Sequence, residues 1–229
     1  MTTIDRPLKL GEILAEAVRI YSGRGFAYLG IGLFEGMAFI AASIAPSGVG
    51  LAIVSAAFAA AYAATARLVA GDPFGEAWGR VARTAAVLAV LAFVVAVPFT
   101  LATTQLLLLI VSVGWLGLTG FAIPAAMLDA DPASRVVDRI GYALRRSLTL
   151  ARAEYLHAVG VSAALVIIYL LVGIVLATAI VSFAENGRVA ALALVQIALA
   201  PFFFIGLTVL YFDQCARALS SAGQPGGRR

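Results

Sequence analysis

The sequence predicts an all-α fold, a polytopic integral membrane protein with six transmembrane helices. Its 229 residues are 62% hydrophobic and 12% charged, with a mean hydropathy of +1.02, whereas soluble proteins average about 25% charged residues. The stretch from Thr84 to Leu128 holds 45 consecutive residues without Asp, Glu, Lys or Arg. As one helix it would be about 68 Å long, more than twice the roughly 30 Å of a bilayer's hydrocarbon core. Two antiparallel spans therefore fit it, with a turn at Thr100–Gln105, its most polar patch.

The other apolar segments complete the set of six spans. In chain order the spans are predicted at Phe26–Ala45, Gly50–Leu68, Thr84–Ala102, Leu106–Leu128, Leu156–Phe183 and Val189–Phe212. A turn at Pro46-Ser47-Gly48 follows the first, and a turn at Glu185-Asn186-Gly187-Arg188 precedes the last. The chain is thereby divided into a cytoplasmic N-terminal segment, 1–25, a membrane domain, 26–213, and a cytoplasmic tail, 214–229, that is expected to be disordered.

A short amphipathic helix is predicted before each pair of spans, at Leu10–Tyr21, Asp72–Arg83 and Val136–Tyr155. These helices are expected to lie along the membrane surface; for the first, packing on cytoplasmic loops is the alternative. The phrases GEILAEAVR, GEAWGRVAR and, more loosely, GYALRRSLT recur within them. The spacing suggests a unit of about 65 residues, one surface helix and one helical hairpin, used three times.

The distribution of basic residues predicts the orientation. With six spans, fifteen of the 16 Lys and Arg residues fall on the side that carries both termini, and only Arg188 falls on the other. The fifteen are Arg6, Lys9, Arg19, Arg24, Arg67, Arg80, Arg83, Arg135, Arg139, Arg145, Arg146, Arg152, Arg217, Arg228 and Arg229. By the positive-inside rule both termini are predicted to be cytoplasmic. Because these residues are scattered between spans, nucleic acid is not an expected partner, and anionic membrane lipids are.

Glu35 is the main candidate for a ligand or proton site. It lies nine residues into the first span, where an unpaired carboxylate costs several kcal/mol. It would either bind a proton or ligand in a cavity or form a protonated hydrogen bond between helices. Arg145, Arg146 and Arg152 are the candidate lipid-headgroup contacts, because the third amphipathic helix carries them where long side chains can extend to the membrane interface.

Other residues carry packing interpretations. Gly32 and Gly36 form a GxxxG pair typical of close helix contacts. Pro98, Pro124 and Pro201 lie inside spans and can bend them, which would shape a cavity or serve packing alone. His157 is interpreted as an interface residue rather than a metal ligand. The lone Cys215 excludes an intrachain disulfide.

The sequence contains none of the common catalytic or cofactor motifs. A P-loop, a GxGxxG after a strand, an HExxH and a GxSxG are all missing, and no span holds a pair of carboxylates. We therefore predict no catalytic residues, no metal site and no cofactor, and expect that the chain is not an enzyme.

Four phrases resemble a bacterial family, the membrane domain found alone or fused to some glycerophosphoryl diester phosphodiesterases. They are the opening Arg6–Leu14 (RPLKLGEIL), a proline-containing fourth span at Ala122–Leu128, ALRRSLTL at Ala143–Leu150, and Tyr211–Asp213 near the end. Ala15 departs from the family, in which an acidic residue often follows GEIL. The resemblance implies a membrane fold in a bacterial cytoplasmic (inner) membrane and not catalysis, because the phosphodiesterase is a separate soluble barrel.

Two functions are expected on these grounds. The first is a non-enzymatic membrane scaffold or accessory domain that interacts with lipids or partner proteins, with a homo-oligomer as one form of partnership. The alternative is a small transporter or lipid-handling protein that uses a cavity near Glu35.

Overall fold

A computed structural model describes residues 6–102, 106–181 and 188–222. Within these ranges the chain forms ten α-helices and no strand, which confirms the all-α prediction. The helices are α1 Leu10–Gly23, α2 Gly25–Ile44, α3 Ser47–Val69, α4 Phe74–Arg83, α5 Ala85–Ala102, α6 Leu106–Thr119, α7 Ala122–Leu128, α8 Val136–Ala153, α9 Tyr155–Val181 and α10 Arg188–Ala222.

Some predicted features lie outside the described residues. They are the first five residues, the centre of the turn between the third and fourth spans at 103–105, the turn at 185–187 and the tail beyond Ala222. Residues 214–222, which the sequence assigned to a disordered tail, instead continue α10 as helix. Cys215 and Ala218 in this segment pack against the core, so apolar contacts explain why the helix extends past the predicted span.

The three-unit pattern predicted from the sequence corresponds to the order of the helices. Short amphipathic helices α1, α4 and α8 each precede two longer apolar segments. In every case a single non-helical residue separates the short helix from the next one: Arg24, Thr84 or Glu154. At Thr84 the axes of α4 and α5 differ by 83°. One residue is enough because a single φ,ψ change breaks the hydrogen-bond ladder and redirects the chain.

Five helical segments are long and apolar enough to cross a membrane, and the bent pair of α4 and α5 could supply a sixth. The five are Gly25–Ile44, Ser47–Val69, Ile110–Leu128, Tyr155–Val181 and Arg188–Ser220. Their outward faces are apolar: Phe26 is 95% exposed, and Ile44 and Leu156 are almost as accessible. Large hydrophobic side chains exposed in this way are unfavourable in water and suit hydrocarbon.

α10 lies at the centre of the helix packing, in contact with α1, α2, α3, α8 and α9. α3 is also extensively buried and contributes Phe58 and Tyr62 to an aromatic cluster with α10. The rings of Tyr62 and Phe204 stack with centroids 5.6 Å apart, and Phe58 meets Phe204 edge-on at 5.0 Å. Offset and edge-on contacts of this kind stabilise aromatic pairs beyond the area they bury.

Gly32 and Gly36 allow α2 to approach α10 closely, as the GxxxG pattern predicts. A Cβ atom at Gly32 would lie 2.0 Å from the carbonyl oxygen of Ile197, and one at Gly36 would lie 2.7 Å from the Ile197 side chain. Pro201 has no N–H and leaves that carbonyl without its donor one turn later. The glycine backbone therefore packs directly on a backbone oxygen of α10 that lacks its helical hydrogen-bond donor. This geometry is suited to Cα–H···O contacts.

The predicted fourth span is two helices rather than one. α6 ends at Thr119 and α7 begins at Ala122, with Gly120 and Phe121 between them. Pro124 sits in the first turn of α7, where its missing N–H has no helical partner to lose. The sequence predicted a bend at this proline, and the structure places the interruption one turn earlier.

Candidate functional site

A polar cluster lies midway along three of the apolar helices. Glu35 of α2 is only 6% exposed, and its Oε1 atom has no hydrogen-bond partner. Tyr169 of α9 interacts electrostatically with Glu35 and donates its hydroxyl hydrogen bond to the Gln196 side chain of α10. The structure therefore brings together a carboxyl, a phenol and an amide that are far apart in the sequence.

The helix packing closes the surroundings of this cluster. Glu35 is flanked on α2 by Gly32 and Gly36, which bring the backbones of α2 and α10 together. Two residues beyond Gln196 on α10, the hydroxyl of Tyr21 donates to the carbonyl oxygen of Ala198 at 3.3 Å. A charged carboxylate in such apolar packing is expensive, so this arrangement suits a carboxyl that carries a proton or shares one with a bound group.

A second polar cluster fastens the N-terminal segment to α10. Asp213 is fully buried. Its carboxylate accepts a hydrogen bond from the Leu8 backbone N–H at 2.6 Å and contacts Arg217 Nε at 2.8 Å and His157 Nε2 at 3.1 Å. Arg217 also donates to the Leu8 carbonyl and pairs with Glu154. His157 lies in this cluster, which joins three parts of the chain, and its interpretation as an interface residue rather than a metal ligand stays a prediction.

The neighbouring end of α7 is tied to α8 and α10. Asp129, just after α7, accepts hydrogen bonds from the Tyr211 hydroxyl at 2.6 Å and from Arg146 Nε at 3.1 Å. Arg146 also reaches the Cys215 sulfur at 3.9 Å. The guanidinium of Arg146 is consequently engaged within the protein, which limits its availability to a lipid headgroup.

A third pairing joins α3 to its neighbours. Arg67, at the end of α3, contacts Asp72 at 2.7 Å and donates to the carbonyl oxygen of Met127 at 3.1 Å. Arg80 of α4 shares Asp72 at 3.2 Å. These contacts hold the ends of α3, α4 and α7 together, at the end of the bundle that also carries the other two charged clusters.

The N-terminal segment carries an ion pair of its own. Arg6 pairs with Glu12 at 2.6 Å, and the Lys9 backbone N–H donates to the same carboxylate at 2.8 Å. The hydrogen bond from Arg6, and then that from Lys9, lower the pKa of Glu12 from 4.5 to about 2. Glu12 therefore acts as a helix-capping carboxylate for the first turn of α1.

The outer face of α8 forms an open concavity of about 530 Å³. Its lining residues are Val137, Asp138, Gly141, Tyr142, Arg145, Arg146 and Thr149. Arg145 is exposed and makes no ion pair among the described residues. Arg152, the third predicted headgroup contact, is also exposed but does not line the concavity.

The sequence identified Glu35 but not its neighbours. Tyr169 and Gln196 could not be assigned to Glu35 from the sequence, because a single polar residue in a span does not indicate which other span it faces. The roles of Asp213 and Asp129 were also missed. An acidic residue at the end of a span, on the side rich in arginine, is a signal for such pairing that could have identified both. Among the described residues no group of three His, Cys, Asp or Glu side chains could hold a metal ion.

Comparison with known proteins adds no relative to these observations. No family model, curated protein or solved structure matches the chain.

Proposed function

We propose that this chain is a non-enzymatic, six-span domain of a bacterial cytoplasmic membrane that organises lipids or partner proteins at the cytoplasmic face. The resemblance to the membrane domain of glycerophosphoryl diester phosphodiesterases is part of the proposal. In its support, the resembling phrases contact one another: Leu8 meets Asp213, and Arg146 shares Asp129 with Tyr211. Residues that carry the resemblance are thus among those that join the helix ends.

The count of six rests on α5. This helix has 18 residues, Ala85–Ala102, without a charged residue, which gives about 27 Å, close to the thickness of the hydrocarbon core. Its axis turns by 83° from that of amphipathic α4, the geometry expected where a surface helix meets a crossing helix. By this reasoning α4 is an interfacial helix, and the proposal extends to α1 and α8 because they too are helices with a buried face that precede a span.

One observation carries the scaffold function: at the basic end, several ion pairs hold separate elements of the chain together. Asp213, Asp129 and Asp72 each join at least two separate parts of the sequence. Charged groups that are engaged in such contacts are not available for chemistry. The contacts also keep a rigid cytoplasmic surface available for lipids, a second copy of the chain or another membrane protein.

The proposal is tested with the full chain purified in a mild neutral detergent. After detergent removal, native mass spectrometry should still detect bound phospholipid or a stable assembly. Assays for hydrolysis of glycerophosphodiesters and phospholipids should show no turnover. Turnover that tracks the purified protein, or a chain that stays dispersed in buffer without detergent, would overturn it.

A second function is favoured by the unpaired Oε1 atom of Glu35. A buried carboxyl with a phenol beside it can take up a proton or a hydrogen-bonding ligand, as a small transporter or lipid-handling protein requires. In liposomes that contain a pH-sensitive dye, Glu35→Gln should abolish any proton flux that the wild type supports, whereas Glu76→Gln, at an exposed position, should not. Equal flux in wild type and Glu35→Gln would remove this function.

A further inference from the structure

The concavity on α8 combines a concave surface with an arginine that forms no ion pair within the described part of the chain. Arg67, Arg80, Arg146 and Arg217 are paired with carboxylates. Arg145 has no ion pair among the described residues and lies in a concavity of about 530 Å³. An unpaired guanidinium in a concave surface offers several N–H donors to an incoming anion.

The remaining lining groups define the chemistry of the occupant. Arg146 also lines the concavity, but its Nε and Nη2 atoms face Asp129 and Cys215, so it contributes positive charge more than free donors. Tyr142 supplies an exposed ring and a phenol, whereas the Thr149 hydroxyl donates to the Arg145 carbonyl at 2.9 Å. Val137 makes the opposite rim apolar. Basic and hydroxyl groups beside apolar surface fit a phosphate joined to glycerol and acyl chains better than a fully water-solvated anion.

We propose that this concavity binds the headgroup of an anionic phospholipid, of the phosphatidylglycerol class, from the cytoplasmic leaflet. The inference rests on the proposed topology, which places α8 at that leaflet just before the α9 span. Asp138 also lines the concavity and would repel a second phosphate. A headgroup with one phosphate and free hydroxyls is therefore favoured over a doubly charged one, because its hydroxyls can donate hydrogen bonds to Asp138.

Gly141 provides an independent way to block the site. A Cβ atom built at this position meets nothing within 4 Å, so Gly141→Leu fills the concavity without disturbing the packing of α8. Arg145→Gln removes the unpaired charge and keeps a polar, uncharged side chain at this position. Arg83→Gln is the matched control, because Arg83 is exposed, donates to the Gly79 carbonyl of its own helix and does not line the concavity.

The test measures binding of dioleoylphosphatidylglycerol and dioleoylphosphatidylcholine to the full chain, by native mass spectrometry of mixed micelles. Removing one basic contact should weaken phosphatidylglycerol binding about fivefold in Arg145→Gln. Gly141→Leu should weaken it at least as much, Arg83→Gln should not change it, and phosphatidylcholine binding should be equal in all four proteins.

Each other outcome is decisive. Equal losses in Arg145→Gln and Arg83→Gln would show non-specific attraction and overturn the site, as would full phosphatidylglycerol binding by Gly141→Leu. Displacement of the lipid by an acidic peptide such as a glutamate decamer, at concentrations where neutral peptide has no effect, would assign the concavity to a protein partner instead. If the wild type binds neither lipid at all, the lipid arm of the proposed function fails; binding that the variants leave unchanged sinks only the site.

Discussion

Asp213 shows how a single buried carboxylate can organise the ends of several helices. It is fully buried, yet all its contacts are to polar or charged groups: Arg217, His157 and the Leu8 N–H. Burial of a carboxylate is tolerated when its charge is balanced and its oxygens are hydrogen-bonded. Asp129 is partly exposed, but Arg146 and Tyr211 share its carboxylate in a similar way. Both residues therefore matter for stability rather than chemistry.

Asp213→Ala should destabilise the protein by about 3 kcal/mol, because removing one partner of a buried pair leaves the other uncompensated. Breaking a buried pair costs about 3–5 kcal/mol, and we expect the lower value because Arg217 keeps its contact with Glu154. Denaturant unfolding in detergent, followed by tryptophan fluorescence, measures the change. Glu76→Ala, at an exposed position, should change stability by less than about 0.5 kcal/mol. Similar values for both variants would contradict the role assigned to Asp213.

The start of α1 should respond to acid through Glu12. Its pKa is lowered from 4.5 to about 2 in the folded chain by Arg6 and by the Lys9 N–H. A lowered folded pKa means that the carboxylate stabilises the segment above pH 4.5 and that this contribution is lost as the pH falls toward 2. Hydrogen exchange of α1 amides, corrected for intrinsic rates, should accelerate across that window in the wild type. In Glu12→Gln the protection should already be low at neutral pH and should not fall further with acid.

At the scale of elements, the long apolar helices could be predicted and their breaks could not. Composition and length alone placed every apolar segment within a few residues of a helix, because hydrophobic runs of this size have few other stable arrangements. The interruption at Gly120–Phe121 and the extension of α10 to Ala222 depend on contacts between elements distant in sequence. For the same reason Glu35 was found from its sequence position, whereas its neighbours Tyr169 and Gln196 required the structure.

The crossing of α2 and α10 should depend on the absence of a side chain at Gly32. Gly32→Ala would place a Cβ atom 2.0 Å from the backbone oxygen of Ile197, a clash that only separation of the helices relieves. Overpacking of this kind costs about 1–3 kcal/mol, measurable by unfolding in detergent. Gly160→Ala is the matched control within a long apolar helix, because a Cβ atom there meets nothing within 4 Å. A Gly32→Ala protein as stable as the control would show that α2 does not pack on α10 as described.

The molecule as a whole gathers its charges at one end of the bundle. The clusters around Asp213, Asp129 and Asp72 link the beginnings of α1 and α9 with the ends of α3, α7 and α10. The helices themselves present apolar outer faces. Together with the fifteen-to-one bias in Lys and Arg, this polarity is what a positive-inside topology requires, since helices that alternate in direction bring every second loop to the same side.

The topology predicts which loops face the cytoplasm, and the loop between α7 and α8 tests both orientation and number of spans. In a Cys215→Ser background, Ser47→Cys lies at the exposed turn between α2 and α3, and Ala133→Cys lies at the exposed loop before α8. A membrane-impermeant maleimide applied to intact cells should label residue 47 and should label residue 133 only after permeabilisation. If α5 did not cross, the chain would have five spans and residue 133 would lie outside, because one crossing before it would be missing. Labelling of both residues in intact cells would therefore refute the six-span arrangement, and labelling of 133 but not 47 would reverse the orientation.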